Sequence, residues 1–259
     1  MARLRHDIRG EKDMTGGYDA YEPQNTLQAI GEEIWISEGP VLQWGYGIPI
    51  KFPFPTRMSV IRLSDGSLFI HSPTHPDENL VAQVEKLGPV AHIVSPNMIH
   101  HVFVEYWGAR FPDAVTWASP GVRKRSKFDF TRDLGDLPPA EWADDIDQRI
   151  ARGSRVMEEV IFFHKRSKTL ILADLIENFE GERLHGWFNH FMYRLIGVMA
   201  PHGRAPRDLR ATYAGRHDQM RPIVDWMIDC APERIVIAHG KWIEENAVAR
   251  LREAFDWVK

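Results

Sequence analysis

The chain has 259 residues, 44% hydrophobic and 26% charged, with a formal net charge of −4 and a pI near 6.3. That is enough apolar material for a buried core. It argues against nucleic acid as a partner, because the one basic cluster is "RKRSK" at Arg123–Lys127, best read as a solvated loop. Cys230 is the single cysteine, so a disulfide framework and a thiolate zinc cluster are both excluded within the chain.

Residues 1–24 are polar and Gly-punctuated and predict a loose N-terminal arm, followed by a single domain over 25–259. The start has no apolar signal core, and no run reaches the roughly 18 apolar residues of a membrane span. The expectation is a cytoplasmic protein with no membrane partner. Length alone leaves the oligomeric state open.

Strand signals begin at "EEIWISEGP" (Glu32–Pro40), which Gly-Pro is expected to stop. "GIPIKFPFPTR" is too proline-rich for a central strand. "MSVIRLSDGSLFIHSP" predicts a hairpin turning at Asp65-Gly66. "DENLVAQVEKLG" has helical spacing at Leu80, Val81, Val84 and Leu87, with a stop at Gly88. A strand "PVAHIVS", a helix "HVFVEYWGARF" and a strand "DAVTWASPG" follow. Residues 127–155 are polar and acidic. "EEVIFFHKRSKTLILADLIENF" predicts a second hairpin whose returning strand ends at Asp174. Helices are expected at "GWFNHFMYRLIGVMAP" and "MRPIVDWMIDCAPE", then a strand "RIVIAHG" and a C-terminal helix. Alternating strands and helices with two hairpins argue for a layered α/β fold.

Polar residues collect where these strands end: His71, the pair His100–His101, Asp174 and His239. Strand ends are where layered α/β folds gather ligand sites. Imidazoles and a carboxylate from separate elements suit a divalent metal. Each residue also has an ordinary role open to it. His71 can bond the following turn, His100 can face solvent, and His101 can neighbour a helix start. Asp174 can cap a turn, and His239 can pack in the core. His164 lies at a hairpin tip. His185, His190, His202 and His217 fall in the helical region.

The signatures "HSP", "PNMIHHVFVEYWGARFPDAVTWASPG", "VIFFHKRSKTLILADLIENF" and "RIVIAHG", spread over roughly residues 27–258, resemble the metallo-β-lactamase superfamily. They resemble more closely a divergent branch of it, a conserved domain of unknown function. The resemblance implies a four-layer αββα sandwich. It also implies a correspondence for the superfamily's His-x-His-x-Asp-His motif, which falls on Pro96, Met98, His100 and His101. Its bridging aspartate matches Asp174 and its last histidine His239. Its middle histidine should fall near Ser154–Glu159, where none exists.

The ligands of one metal position are thus missing, and His100, His101, Asp174 and His239 can furnish the other. The resemblance implies a metal-dependent hydrolase of a small molecule with at most one metal, zinc or iron, and an unnamed substrate. The alternative is a metal-free, catalytically inactive binding protein on the same fold. The apolar helix at Gly186–Pro201 is expected either to pack in the core or to cover the site.

Overall fold

The computed structural model describes residues 17–45 and 51–258. Among them, eleven strands form two sheets. The first contains β1 (Gln28–Gly31), β2 (Ile34–Trp44), β3 (Phe52–Arg62), β4 (Leu68–His71), β5 (Val90–Ser95), β6 (Val115–Ala118) and β7 (Arg132–Asp133), in that spatial order. Strands β1 to β4 pair antiparallel and β4 to β7 parallel. The second contains β8 (Ile146–Ala151), β9 (Glu159–His164), β10 (Thr169–Ile171) and β11 (Arg234–Val236), ordered β11-β10-β9-β8. Only its β10–β11 pair is parallel.

The helices are α1 (Glu78–Leu87), α2 (Val104–Arg110), α3 (Val122–Arg125), α4 (Trp187–Ile196), α5 (Arg207–Thr212), α6 (His217–Asp229) and α7 (Ala247–Ala254). The apolar pattern explains the layers. Alternate residues of a strand point to opposite faces. Ile61, Phe69, Val94 and Trp117 face Ile146, Ile150, Val160 and Phe162 to form the core between the sheets. The other faces bury Leu80, Val81 and Val84 of α1 and Trp107 of α2 on one side, and Met220, Val224, Met227 and Leu251 of α6 and α7 on the other. The result is the four-layer αββα sandwich. Asp77 starts α1 as expected, its carboxylate accepting the Leu80 amide at 2.8 Å.

Three local expectations fail for physical reasons. First, β2 runs through Gly39-Pro40 instead of stopping, because a bulge between Glu38 and Val41 absorbs the dipeptide. Second, Pro53 and Pro55 do lie in a strand. They pair with Gln43 and Val41 of β2, whereas β4 reaches only Ser59–Arg62, so the proline half of β3 is paired with a strand on one side alone. Third, residues 17–24 of the predicted arm are docked, not loose: Tyr18 is fully buried against Phe179, and Asp19 N donates to Arg183 O. Residues 1–16 lie outside the described residues, as do 46–50.

The parallel pairings position the site. They bring the C-terminal ends of β4, β5 and β6 to one edge, and the ends of β10 and β11 to the matching edge of the other sheet. There the two sheets are joined, Val160 N donating to Pro96 O at 2.8 Å.

Candidate metal centre

Three of the four expected ligands converge at this joined edge. His100 lies in the turn after β5, Asp174 follows β10, and His239 follows β11. One donor atom from each lies within 4.8 Å of the others. Asp174 Oδ1 is 3.3 Å from His100 Nε2 and 3.2 Å from His239 Nε2. The side chains are 8–9% exposed, so the group is nearly closed to water.

His101 is not one of the three, which corrects the expected four-residue set. Its Nδ1 lies 3.0 Å from the Met98 carbonyl, to which it donates. Burial lowers its pKa and keeps the ring neutral. The reason is the turn itself: adjacent side chains diverge there, and only one can enter the cleft.

Asn97 selects His100. Its Oδ1 accepts the amides of Ile99 (2.9 Å) and His100 (3.2 Å), bending the chain in an Asx-turn. Its Nδ2 donates to Asp174 Oδ2 (2.8 Å) and Glu159 Oε2 (3.1 Å). All four hydrogen-bonding positions of this fully buried amide are used. Glu159 in turn accepts the Ala173 and Asp174 amides at 2.8 and 2.7 Å. Burial first, and the nearby Asp174 charge second, push the Glu159 carboxyl up to about 7. Burial also works to raise Asp174, but the imidazoles of His100 and His239 outweigh it and hold that carboxyl below its ordinary range.

His239 is placed by β3. Its Nδ1 donates to Pro55 O at 2.7 Å, and Phe54 stands edge-on to its ring at 5.1 Å. Arg57 braces the loop, donating through Nη1 to the carbonyls of Ile237 (2.6 Å) and Gly240 (2.9 Å) while paired with Glu38 at 2.7 Å. Sequence reasoning missed Asn97, Glu159 and Arg57. "SPN" after a strand was the one local signal, because asparagine there favours an Asx-turn.

The donor arrangement asks for a cation. A carbonyl oxygen only accepts, so His239 Nδ1 carries a proton, and a neutral ring of that tautomer presents a lone pair at Nε2. That lone pair faces a carboxylate oxygen at 3.2 Å. Two acceptors at such a distance repel unless a proton or a metal ion lies between them. Two ligand atoms on a tetrahedral zinc at about 2.0–2.1 Å are roughly 3.3 Å apart, close to both observed separations. A backbone carbonyl on the remote nitrogen is also how metal-binding histidines are usually oriented. Ser72 Oγ, 2.7 Å from His100 Nδ1, serves the other ring. The residues therefore fit a metal.

The remaining histidines are elsewhere. His71 is buried with Nε2 unpartnered beside Phe162, and burial drives its pKa down to about 3. His164 bonds Ser167 Oγ at the hairpin tip. His185 pairs with Asp19, His202 with Glu253, His190 donates to Leu184 O, and His217 packs on Trp257. Helix α4 packs in the core by one face only, Tyr193 with Met192 and Ile196 joining Phe52, Phe179 and Val198, and it does not cover the site. It buries Tyr193 and reaches His239 only through Phe54, which contacts both rings.

The profile of a family described as "Domain of unknown function (DUF4336)" matches residues 41–184. No curated protein matches the chain. Solved structures do. The DIM-1 metallo-β-lactamase aligns with TM-score 0.60 and 13% identity over 93% of this chain and 98% of its own. A metallo-β-lactamase from Pontibacter korlensis gives 0.59 and 11%, over 90% and 98%. FIM-1 from Pseudomonas aeruginosa, in its mono-zinc form, gives 0.58 and 8%, over 90% and 94%. At these identities the likeness establishes the fold and nothing about reaction or substrate.

Proposed function

The chain belongs to this family of unknown function, DUF4336, and from that starting point we propose that it is a metal-dependent hydrolase of a small molecule using one metal. His100, Asp174 and His239 hold the ion. The observation that carries this reading is His239 Nε2 and Asp174 Oδ1 held face to face at 3.2 Å, a separation that calls for a proton or an ion between them.

Two imidazoles and one carboxylate suit zinc or iron(II) and leave coordination positions open. When bound, such an ion acidifies a coordinated water and polarises an ester, lactone or phosphoryl oxygen. The chain's own residues do the rest. Pro55 O fixes the tautomer of His239, Asn97 locks the second oxygen of Asp174, and the near-closure of the cleft excludes bulk water. A second metal has little support. Pro96 offers no side-chain donor and Met98 only a thioether, and Glu159 is engaged by two amides and Asn97.

The test is metal content after purification without added metal, followed by a screen of esters, lactones and phosphodiesters. Wild type should retain one zinc or iron per chain, and Asp174→Ala none, with the fold kept. A wild-type protein that retains no metal, and whose melting temperature ignores added zinc and iron(II), would favour a metal-free binding protein. One observation supports that second reading: a protonated His239 can itself close the hydrogen bond to Asp174.

A further inference from the structure

Helix α4 turns its aromatic side chains outward. Trp187 is 80% exposed, Phe191 57%, Leu195 49% and Phe188 37%, while Tyr193 alone is buried. Single exposed apolar residues are ordinary, but four on one helix form a contiguous patch of the kind that marks an interaction surface. With about 150–250 Å² for each large side chain, these exposures amount to roughly 400–500 Å² per chain.

Two features say what covers the patch. First, Trp187, Phe191 and Leu195 are spaced four residues apart, so the stripe is symmetric about Phe191. An antiparallel copy crossing at Phe191 sets Trp187 against the partner's Leu195, and the reverse, as a two-fold interface requires. Second, the charges at the two ends are opposite. Glu182 is exposed just before the helix. Arg194 is exposed in the last turn, and Arg207 and Arg210 lie within about 3.5 Å of where a Cβ would stand on Gly197, the residue that ends the helix. Among the described residues none of these three arginines forms a salt bridge with a carboxylate, and Asp256 acts on Arg210 only at longer range. The same antiparallel crossing lays the acidic end of one helix over the basic end of the other.

We propose that α4 is the contact face of a two-fold dimer of this chain, centred on Phe191. Full burial of the patch on two copies removes roughly 800–1,000 Å² in total, at the lower limit for a specific interface, so the dimer is weak and concentration-dependent. It stands apart from the metal site and holds whether or not a metal binds.

Sedimentation of the full chain over a wide concentration range should show a monomer–dimer equilibrium. Phe191→Glu should weaken it about tenfold or more, since a central aromatic carries a large share of such an interface. Oxidation of Phe191→Cys in a Cys230→Ala background should yield a covalent dimer. Trp187→Cys should not link to itself but should link to Leu195→Cys when the two chains are mixed. A monomer at every concentration overturns the proposal. So does a dimer indifferent to Phe191→Glu, or a monomer that binds anionic vesicles through Trp187. If Phe191→Glu does not fold, the cross-linking pattern decides alone.

Discussion

Asn97 Nδ2 donates to Asp174 Oδ2 at 2.8 Å, and the same side chain, through Oδ1, bends the turn that delivers His100. One residue therefore orients two of the three groups proposed to hold the metal. Asn97→Ala should lower metal affinity about 10–100-fold, the usual range for an orienting partner. It should also destabilise the fold by about 1–3 kcal/mol, because Glu159 and two amides lose a buried partner. Competition with a graded chelator measures the first effect and urea denaturation the second. Undiminished metal affinity in a folded variant would remove Asn97 from the site.

The adjacent histidines should separate cleanly. His100→Ala should abolish metal retention, whereas His101→Ala should leave one ion per chain, since the His101 ring is committed to the Met98 carbonyl. Metal analysis of the two purified variants is sufficient. Equal loss in both would mean that the turn rearranges around an ion.

The Arg57–Glu38 pair is buried, at 3% and 4% exposure. Arg57→Met leaves a carboxylate in the interior and should cost about 3–5 kcal/mol. Adding Glu38→Leu should recover much of that loss of stability. The double variant should still bind metal more weakly than wild type, because the carbonyls of Ile237 and Gly240 that flank His239 lose their donor. Urea midpoints and metal titration read the two outcomes separately.

Far from the site, His164 is fully buried, and its pKa is driven down to about 4, first by burial. In the unfolded chain the same imidazole titrates near 6.5. Between these values the unfolded state binds the extra proton. The stabilising contribution is complete above about pH 6.5 and is lost as pH falls towards 4, to a maximum of roughly 3 kcal/mol. Across that window His164→Gln should flatten the fall of the denaturation midpoint relative to wild type. Parallel curves for the two proteins would refute the assignment.

What the sequence disclosed was local. The hairpins at Asp65-Gly66 and Lys165–Lys168 were legible because apolar runs flank polar turns, and with the strand–helix repeats they defined the layers. Strand β8 was hidden by the acidic "DDID" leading into it, and by Gln148 at an inward position. That glutamine is tolerated because Trp142 Nε1 donates to it and it donates to Gly135 O. The candidate-site histidines could be named from strand ends, but choosing His100 over His101 required the Asn97 turn. The bonds from Asn97 to Glu159 and Asp174, and those of Glu159 to the Ala173 and Asp174 amides, span more than a dozen residues, which no spacing displays. The apolar content of α4 suggested burial, but composition does not say which surface covers a helix.

The one-sided pairing of the proline half of β3 has a further effect. A strand residue's nitrogen and carbonyl point to the same side, and the Pro55 carbonyl points to His239. Its ring nitrogen therefore faces the gap beyond β4, and it has no proton to give. Pro53, two residues earlier, presents the same blank nitrogen. A further strand added there would find no donor at either proline, and both acceptors are taken, Pro53 O by the Tyr193 hydroxyl and Pro55 O by His239. With both nitrogens blank and both carbonyls taken, this half of β3 has nothing left to offer strand addition beside the candidate site.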